Sequence, residues 1–224
     1  MESWLIALIA VVPGLLWLYY FYKKDRYEPE PLAWILVVFT LGALVTIPVG
    51  IFEGILEAAT GSILAAILIA PACEELAKYW VVKKSVYGSR EFNEPVDGII
   101  YAAAAGLGFA TLENILYVFS AYDESLLLAI ETGVLRGLLS VPGHVLFSAM
   151  WGVALGMAKF MPGDSGKMLI WKGIFFSMLA HALFNYLILQ SVLGLGLLVL
   201  VVIPVFWILT DRNIRQALSL SFFK

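Results

Sequence analysis

Apolar residues run through this chain in blocks of roughly 20, and polar residues gather in short clusters between them. A helix of that length spans the hydrocarbon of a bilayer. No stretch alternates as a half-buried strand would, and no segment repeats. The pattern predicts an all-α polytopic transmembrane helix bundle, with residues 1–224 as a single integral membrane domain. Spans are expected at residues 4–22, 32–52, 63–82, 96–119, 145–160, 168–189 and 192–210. The segment 125–143 reads in two ways. It is a re-entrant or interfacial element, or a further short span broken at Pro142-Gly143. The expected count is therefore seven to eight spans.

Composition agrees: 62% of residues are hydrophobic, against about 45–50% in soluble domains. A net charge of −3 implies neither a nucleic-acid patch nor an acidic partner, and the single cysteine, Cys73, excludes an intrachain disulfide. The charges fall in alternating clusters. Lys23, Lys24 and Arg26 follow the first block; Lys83, Lys84 and Arg90 follow the third; Lys159, Lys167 and Lys172 flank the loop after residue 160; Arg212, Arg215 and Lys224 end the chain. Glu53, Glu57, Asp123 and Glu124 occupy the loops between. Basic loops stay in the cytoplasm. The expectation is a multi-pass protein of the cell membrane, N-terminus outside and C-terminus cytoplasmic. The first block has its basic residues behind it and no small-residue cleavage site, so it reads as a retained span.

One block breaks the pattern. Residues 63–82, ILAAILIAPACEELAKYWVV, carry Glu74, Glu75 and Lys78 at membrane depth. Each such group costs about 2.5–3.5 kcal/mol on insertion scales, so three within five residues need a reason. Lys78 is i+4 from Glu74 and i+3 from Glu75, which gives one carboxylate a partner and leaves the other without an obvious local one. Other spans add Glu113, Asn114, Arg136, His144, His181 and Asn185, including both histidines of the chain. By depth these groups can converge in one cavity at or outside the midplane. Glu74–Lys78 has a plain reading as a structural ion pair, the asparagines as interhelical hydrogen bonds, and Arg136 as a snorkelling side chain. Two histidines with two glutamates lacking local partners point further, to a site.

Three chemistries use these parts. Glu and His can activate water and protonate a leaving group, while a second His and an Asn stabilise an oxyanion, giving peptide hydrolysis within the membrane. Glu75, Glu113, His144 and His181 are candidate ligands for a metal such as Zn2+ with an open position for water. A proton- or ion-coupled membrane transporter would use the same residues without hydrolysis.

Several motifs lie in a telling order: DRYEPEP at residues 25–31, EELAK at 74–78, VDGIIY at 96–101, GFATLEN at 108–114, PGH at 142–144 and HALFN at 181–185. Together they resemble the PrsW family of intramembrane proteases over about residues 1–190. That family is related to the CAAX prenyl endopeptidase group, which shows a double glutamate followed by Arg, then FxxxH, then HxxxN. The resemblance implies catalytic roles for Glu74, Glu75, Glu113, His181 and Asn185; His144, also a candidate catalytic residue, has no role in the prenyl-protease scheme and favours the metal option. The first glutamate of the pair would be the water-activating base, and His181 with Asn185 would stabilise the oxyanion. Here Glu113 stands where the prenyl proteases have His, and Lys78 stands one position before their Arg. The exchange at Glu113 points to PrsW rather than a prenyl endopeptidase, and leaves open glutamate or metal catalysis and which of Glu74 and Glu75 is the base. The implied substrate is a single-span membrane protein such as an anti-sigma factor, cut at its first site, with the lipid bilayer as the other partner and no nucleic acid.

Overall fold

The computed structural model describes residues 3–190 and 192–224. The apolar blocks are helices: α1 (Ser3–Tyr22), α2 (Leu32–Thr60), α3 (Ala70–Ser85), α4 (Asp97–Glu124), α5 (Leu126–Leu135), α6 (Val141–Lys159), α7 (Ser165–Ile188), α8 (Val192–Leu197) and α9 (Ile203–Ser219). Among the described residues, six helical runs are long and apolar enough to cross a membrane, with α5–α6 and α8–α9 each counting as one run. The helix that ends in α3 is long enough for a seventh crossing. It starts near residue 63 and carries the charged residues that lower its hydropathy.

Proline explains how the paired helices join. Wide π turns occupy Ala65–Ile69, Arg136–Ser140 and Leu198–Val202. Each is followed, two residues on, by a proline: Pro71, Pro142 and Pro204. A proline ring clashes with the carbonyl four residues back and supplies no N–H. Widening the helix by one residue before it absorbs both defects without ending the helix. The break expected at Pro142-Gly143 is therefore a π turn. Residues 126–159 form one continuous span, neither re-entrant nor divided in two.

Helix α4 is the axis of the bundle. Every residue from Asp97 to Thr111 is buried, and α1, α2 and α6 pack around it. Its small residues make this possible. A Cβ at Gly108 would run into the Phe39 carbonyl oxygen of α2, and one at Gly156 of α6 into the Pro95 carbonyl oxygen. Such close backbone approach is how small residues bind membrane helices together. Gly108→Val is expected to force α2 off α4 and lower stability by about 1–3 kcal/mol or more, read as thermal unfolding in detergent. An unchanged melting temperature would mean that this contact does not hold the bundle.

The helix ends bearing the basic residues meet on one side. Lys24 Nζ lies 3.5 Å from Asp211 Oδ1, Lys159 Nζ donates to the Tyr87 carbonyl at 2.7 Å, and the Phe160 and Phe222 rings are 5.9 Å apart. The opposite side opens into a cavity.

Candidate active site

The cavity holds about 650 Å³ and is walled by the last turns of α2 (Glu53, Glu57), the π turn before α3 (Ala65, Ala66), and Glu74, Glu113, Arg136, His144, His181 and Asn185. Two of the three π turns line it. Loosened backbone at membrane depth is tolerated where it faces protein or a water-filled cavity.

At its floor lies a buried polar network. Lys78 Nζ is fully buried and meets Glu75 Oε1 at 2.8 Å, Glu74 Oε2 at 3.0 Å and His144 Nδ1 at 2.8 Å. An ammonium group has three protons and no acceptor, so these contacts use all of them. His144 Nδ1 must therefore accept, and His144 Nε2–H donates to Glu113 Oε2 at 3.0 Å. Glu113 is held in turn by Arg136 Nη2 at 2.7 Å, while Arg136 Nε donates to Asn114 Oδ1 at 3.2 Å. The sequence allowed Arg136 to belong to the polar set or to snorkel at the interface; the structure makes it the counter-charge of Glu113. Asn114 is interhelical glue as expected, its Nδ2 donating to the Ala10 carbonyl at 2.8 Å.

The two adjacent glutamates differ sharply. Glu75 has no exposed surface. Its Oε2 accepts from Ser148 Oγ (3.0 Å), Trp151 Nε1 (3.0 Å) and Ser177 Oγ (2.9 Å), and its Oε1 from Lys78 and from His181 Nδ1 at 3.2 Å. Five donors saturate it. Glu74 has Lys78 on one oxygen and lines the cavity. With Nδ1–H given to Glu75, the Nε2 lone pair of His181 is left for the cavity. Phe147 stacks on the His181 ring at 4.8 Å and fixes its plane.

The sequence missed Ser148, Trp151 and Ser177, although the helical period could have found them. Ser148 and Trp151 are four and seven residues after His144, and Ser177 is four before His181, so all share the faces of the histidines. Glu53 and Glu57 were placed in an outer loop. Helix α2 extends to Thr60 and brings both to the cavity wall. Asn185 gives one amide proton to the Ala66 carbonyl at 3.1 Å, which pins the π turn before α3 and leaves its second proton free for the cavity.

Glu74, His144 and His181 can each bring a ligand atom within 4.8 Å of the others. Two imidazole nitrogens and a carboxylate oxygen suit a catalytic zinc with a water position open. Glu75 and Glu113 then stand behind the ligands, each hydrogen-bonded to one imidazole, as carboxylates do behind metal-bound histidines. The residues fit such an ion, with one feature of their own: Lys78 already uses Glu74 and His144.

Residues 30–209 match the model of the PrsW family intramembrane metalloproteases. The chain belongs to this family. It is 37% identical to Protease PrsW of Geobacillus kaustophilus over 92% of its own length and 89% of that protein. It is 29% identical to the Clostridioides difficile protein of the same name over 89% and 86%, and 37% identical to that of Bacillus subtilis over 67% of each. No solved structure matches the chain. Family membership settles the reaction class: the chain is an intramembrane protease, a peptide hydrolase, and nothing favours the transporter reading.

Proposed function

We propose that the protein is an intramembrane endopeptidase of the cell membrane that makes a first, extracytoplasmic cut in single-span regulatory proteins of the anti-sigma-factor class. The observation that carries this reading is a cavity at the end of the bundle away from the basic helix ends, with Glu74, His144 and His181 facing it together. Basic loops mark the cytoplasmic side, so the cavity opens outward, with the N-terminus outside and the C-terminus inside.

In the proposed reaction, Glu74 is the carboxylate that takes the proton of the attacking water and returns it to the leaving nitrogen. Glu75, fixed by Ser148, Trp151 and Ser177, holds His181 in the tautomer that presents Nε2 to the cavity. Glu113, fixed by Arg136, holds His144 in the tautomer whose Nδ1 lone pair meets Lys78. The second amide proton of Asn185 is placed to donate to the developing oxyanion. A metal, held by Glu74, His144 and His181, would supply Lewis-acid polarisation of the scissile carbonyl and a more acidic water.

The purified protein mixed with a single-span anti-sigma factor should release one discrete fragment, and exhaustive chelation should stop it while zinc restores it. Full turnover with no metal by elemental analysis would leave catalysis to glutamate and water alone. Orientation has its own check. A cysteine placed at residue 123 should react with an impermeant reagent from outside, and one at residue 84 should not. The reverse pattern would overturn the outward-facing site.

A further inference from the structure

Arg136 is held on more sides than an ion pair requires. Its Nη2 donates to Glu113 Oε2 at 2.7 Å and its Nε to Asn114 Oδ1 at 3.2 Å. The third contact is with a face: the guanidinium carbon lies over the Tyr117 ring, 4.0 Å from its centroid. Glu113, Asn114 and Tyr117 are i, i+1 and i+4 on α4. One helical turn therefore presents a carboxylate, an amide and an aromatic face to a single cation. The cation comes from the first residue of the π turn Arg136–Ser140, whose next residue, Gly137, has its carbonyl tied by Trp17 Nε1 at 3.3 Å. Asn114 is tied in turn to the Ala10 carbonyl. Both sides of the contact are thus anchored to α1.

Tyr117 is half exposed and lines the active-site cavity. An aromatic residue near a membrane interface needs no partner of its own. A planar cation stacked on it is a different matter. A guanidinium stacks on an aromatic face while its N–H groups donate in its own plane, which an ammonium group cannot do. Glu113 and Asn114 take two of those N–H groups, and the ring restrains the guanidinium from turning out of that plane. The orientation is passed on. Arg136 fixes Glu113, and Glu113 accepts from His144 Nε2 at 3.0 Å.

We propose that Tyr117 is a positioning residue of the active site, holding the His144 ring through Arg136 and Glu113, a role that rests on the protease reading above. The ring carries the role. None of these contacts uses the phenol oxygen, so Tyr117→Phe keeps them and Tyr117→Leu removes the stacked face. Tyr117 touches Arg136 and not His144, so its loss is felt only as far as the guanidinium moves.

The test compares Tyr117→Phe and Tyr117→Leu in the full-length protein, with a single-span anti-sigma factor as substrate. Tyr117→Leu should lower kcat by about 10–100-fold, the range for losing an outer partner or for a misplacement of about 1 Å, with KM close to that of the wild type. Tyr117→Phe should keep most of the wild-type kcat. In an Arg136→Lys background the ammonium cannot stack and reach both acceptors at once, so adding Tyr117→Leu should cost little more. Wild-type turnover in Tyr117→Leu overturns the role. Loss in Tyr117→Phe equal to that in Tyr117→Leu overturns it in favour of the hydroxyl. A raised KM with unchanged kcat makes Tyr117 a wall of the substrate site instead, and losses that add fully across Arg136→Lys show that it does not act through the guanidinium. Should Tyr117→Leu fail to fold, Tyr117→Met makes the same comparison. Should the wild type cut no membrane substrate, the protease reading fails, and thermal unfolding still decides the contact: stability losses in Tyr117→Leu and Arg136→Lys that fall short of adding uphold it, and losses that add overturn it.

Discussion

Glu74→Gln is expected to abolish cleavage and leave the fold intact, whereas Glu75→Gln should damage both. The difference lies in what each oxygen touches. Glu74 has one donor, Lys78, and a face on the cavity. A glutamine there still offers Lys78 a carbonyl oxygen but can no longer take a proton from water. Losing a general base costs about 10²–10⁴ in rate, so almost no product should form while the melting temperature stays close to that of the wild type. At Glu75, donors surround both oxygens. Whichever way a glutamine amide turns, its NH2 faces at least two other donors, and Lys78 loses a buried anion. Removing one member of a buried pair costs about 3–5 kcal/mol, so Glu75→Gln should unfold early and lose activity as a consequence. Cleavage assays beside thermal unfolding separate the two. If Glu75→Gln melts like the wild type but is inactive, and Glu74→Gln turns over, then the base has been assigned to the wrong glutamate.

Much of this division was not legible in the sequence, for a physical reason. Depth could be read, because one residue of a helix rises by a fixed amount. It correctly placed Glu74, Glu113, His144, His181 and Asn185 around one cavity. Azimuth was harder. Glu74 and Glu75 are about 100° apart around α3, and only the packing of α6 and α7 shows which of them faces Ser148, Trp151 and Ser177 and which faces the cavity. The same limit hid the pairing of Arg136 with Glu113. They come from different helices, 23 positions apart, and nothing in the local spacing joins them. The π turns also hid the continuity of the helix around residue 140. A proline following an apolar run reads as a stop. Whether the chain ends its helix there or widens it depends on neighbours that can enclose the loosened turn.

Lys78→Met should be the most disruptive single change in the chain, and its effect should be recoverable in two independent ways. The substitution leaves Glu74, Glu75 and the His144 Nδ1 lone pair clustered in the interior without a cation. Stranding buried charge in this way costs about 3–5 kcal/mol, a large part of the 5–15 kcal/mol by which folded proteins are typically stable. The first recovery is to remove one anion. In Glu74→Gln with Lys78→Met, Glu75 keeps Ser148, Trp151, Ser177 and His181 as donors, so stability should return in part while activity stays absent. The second is to supply a different cation. Lys78 and a divalent metal draw on the same Glu74 and His144, and without the lysine a metal can take its place as their counter-charge. Added zinc should therefore raise the melting temperature of Lys78→Met by more than that of the wild type, and chelation should lower it by more. The double variant, with its carboxylate gone, should respond less than Lys78→Met. Equal zinc responses in the wild type, Lys78→Met and the double variant would show that the ion binds elsewhere, and a Lys78→Met protein as stable as the wild type under chelation would show that the buried acids do not depend on this lysine.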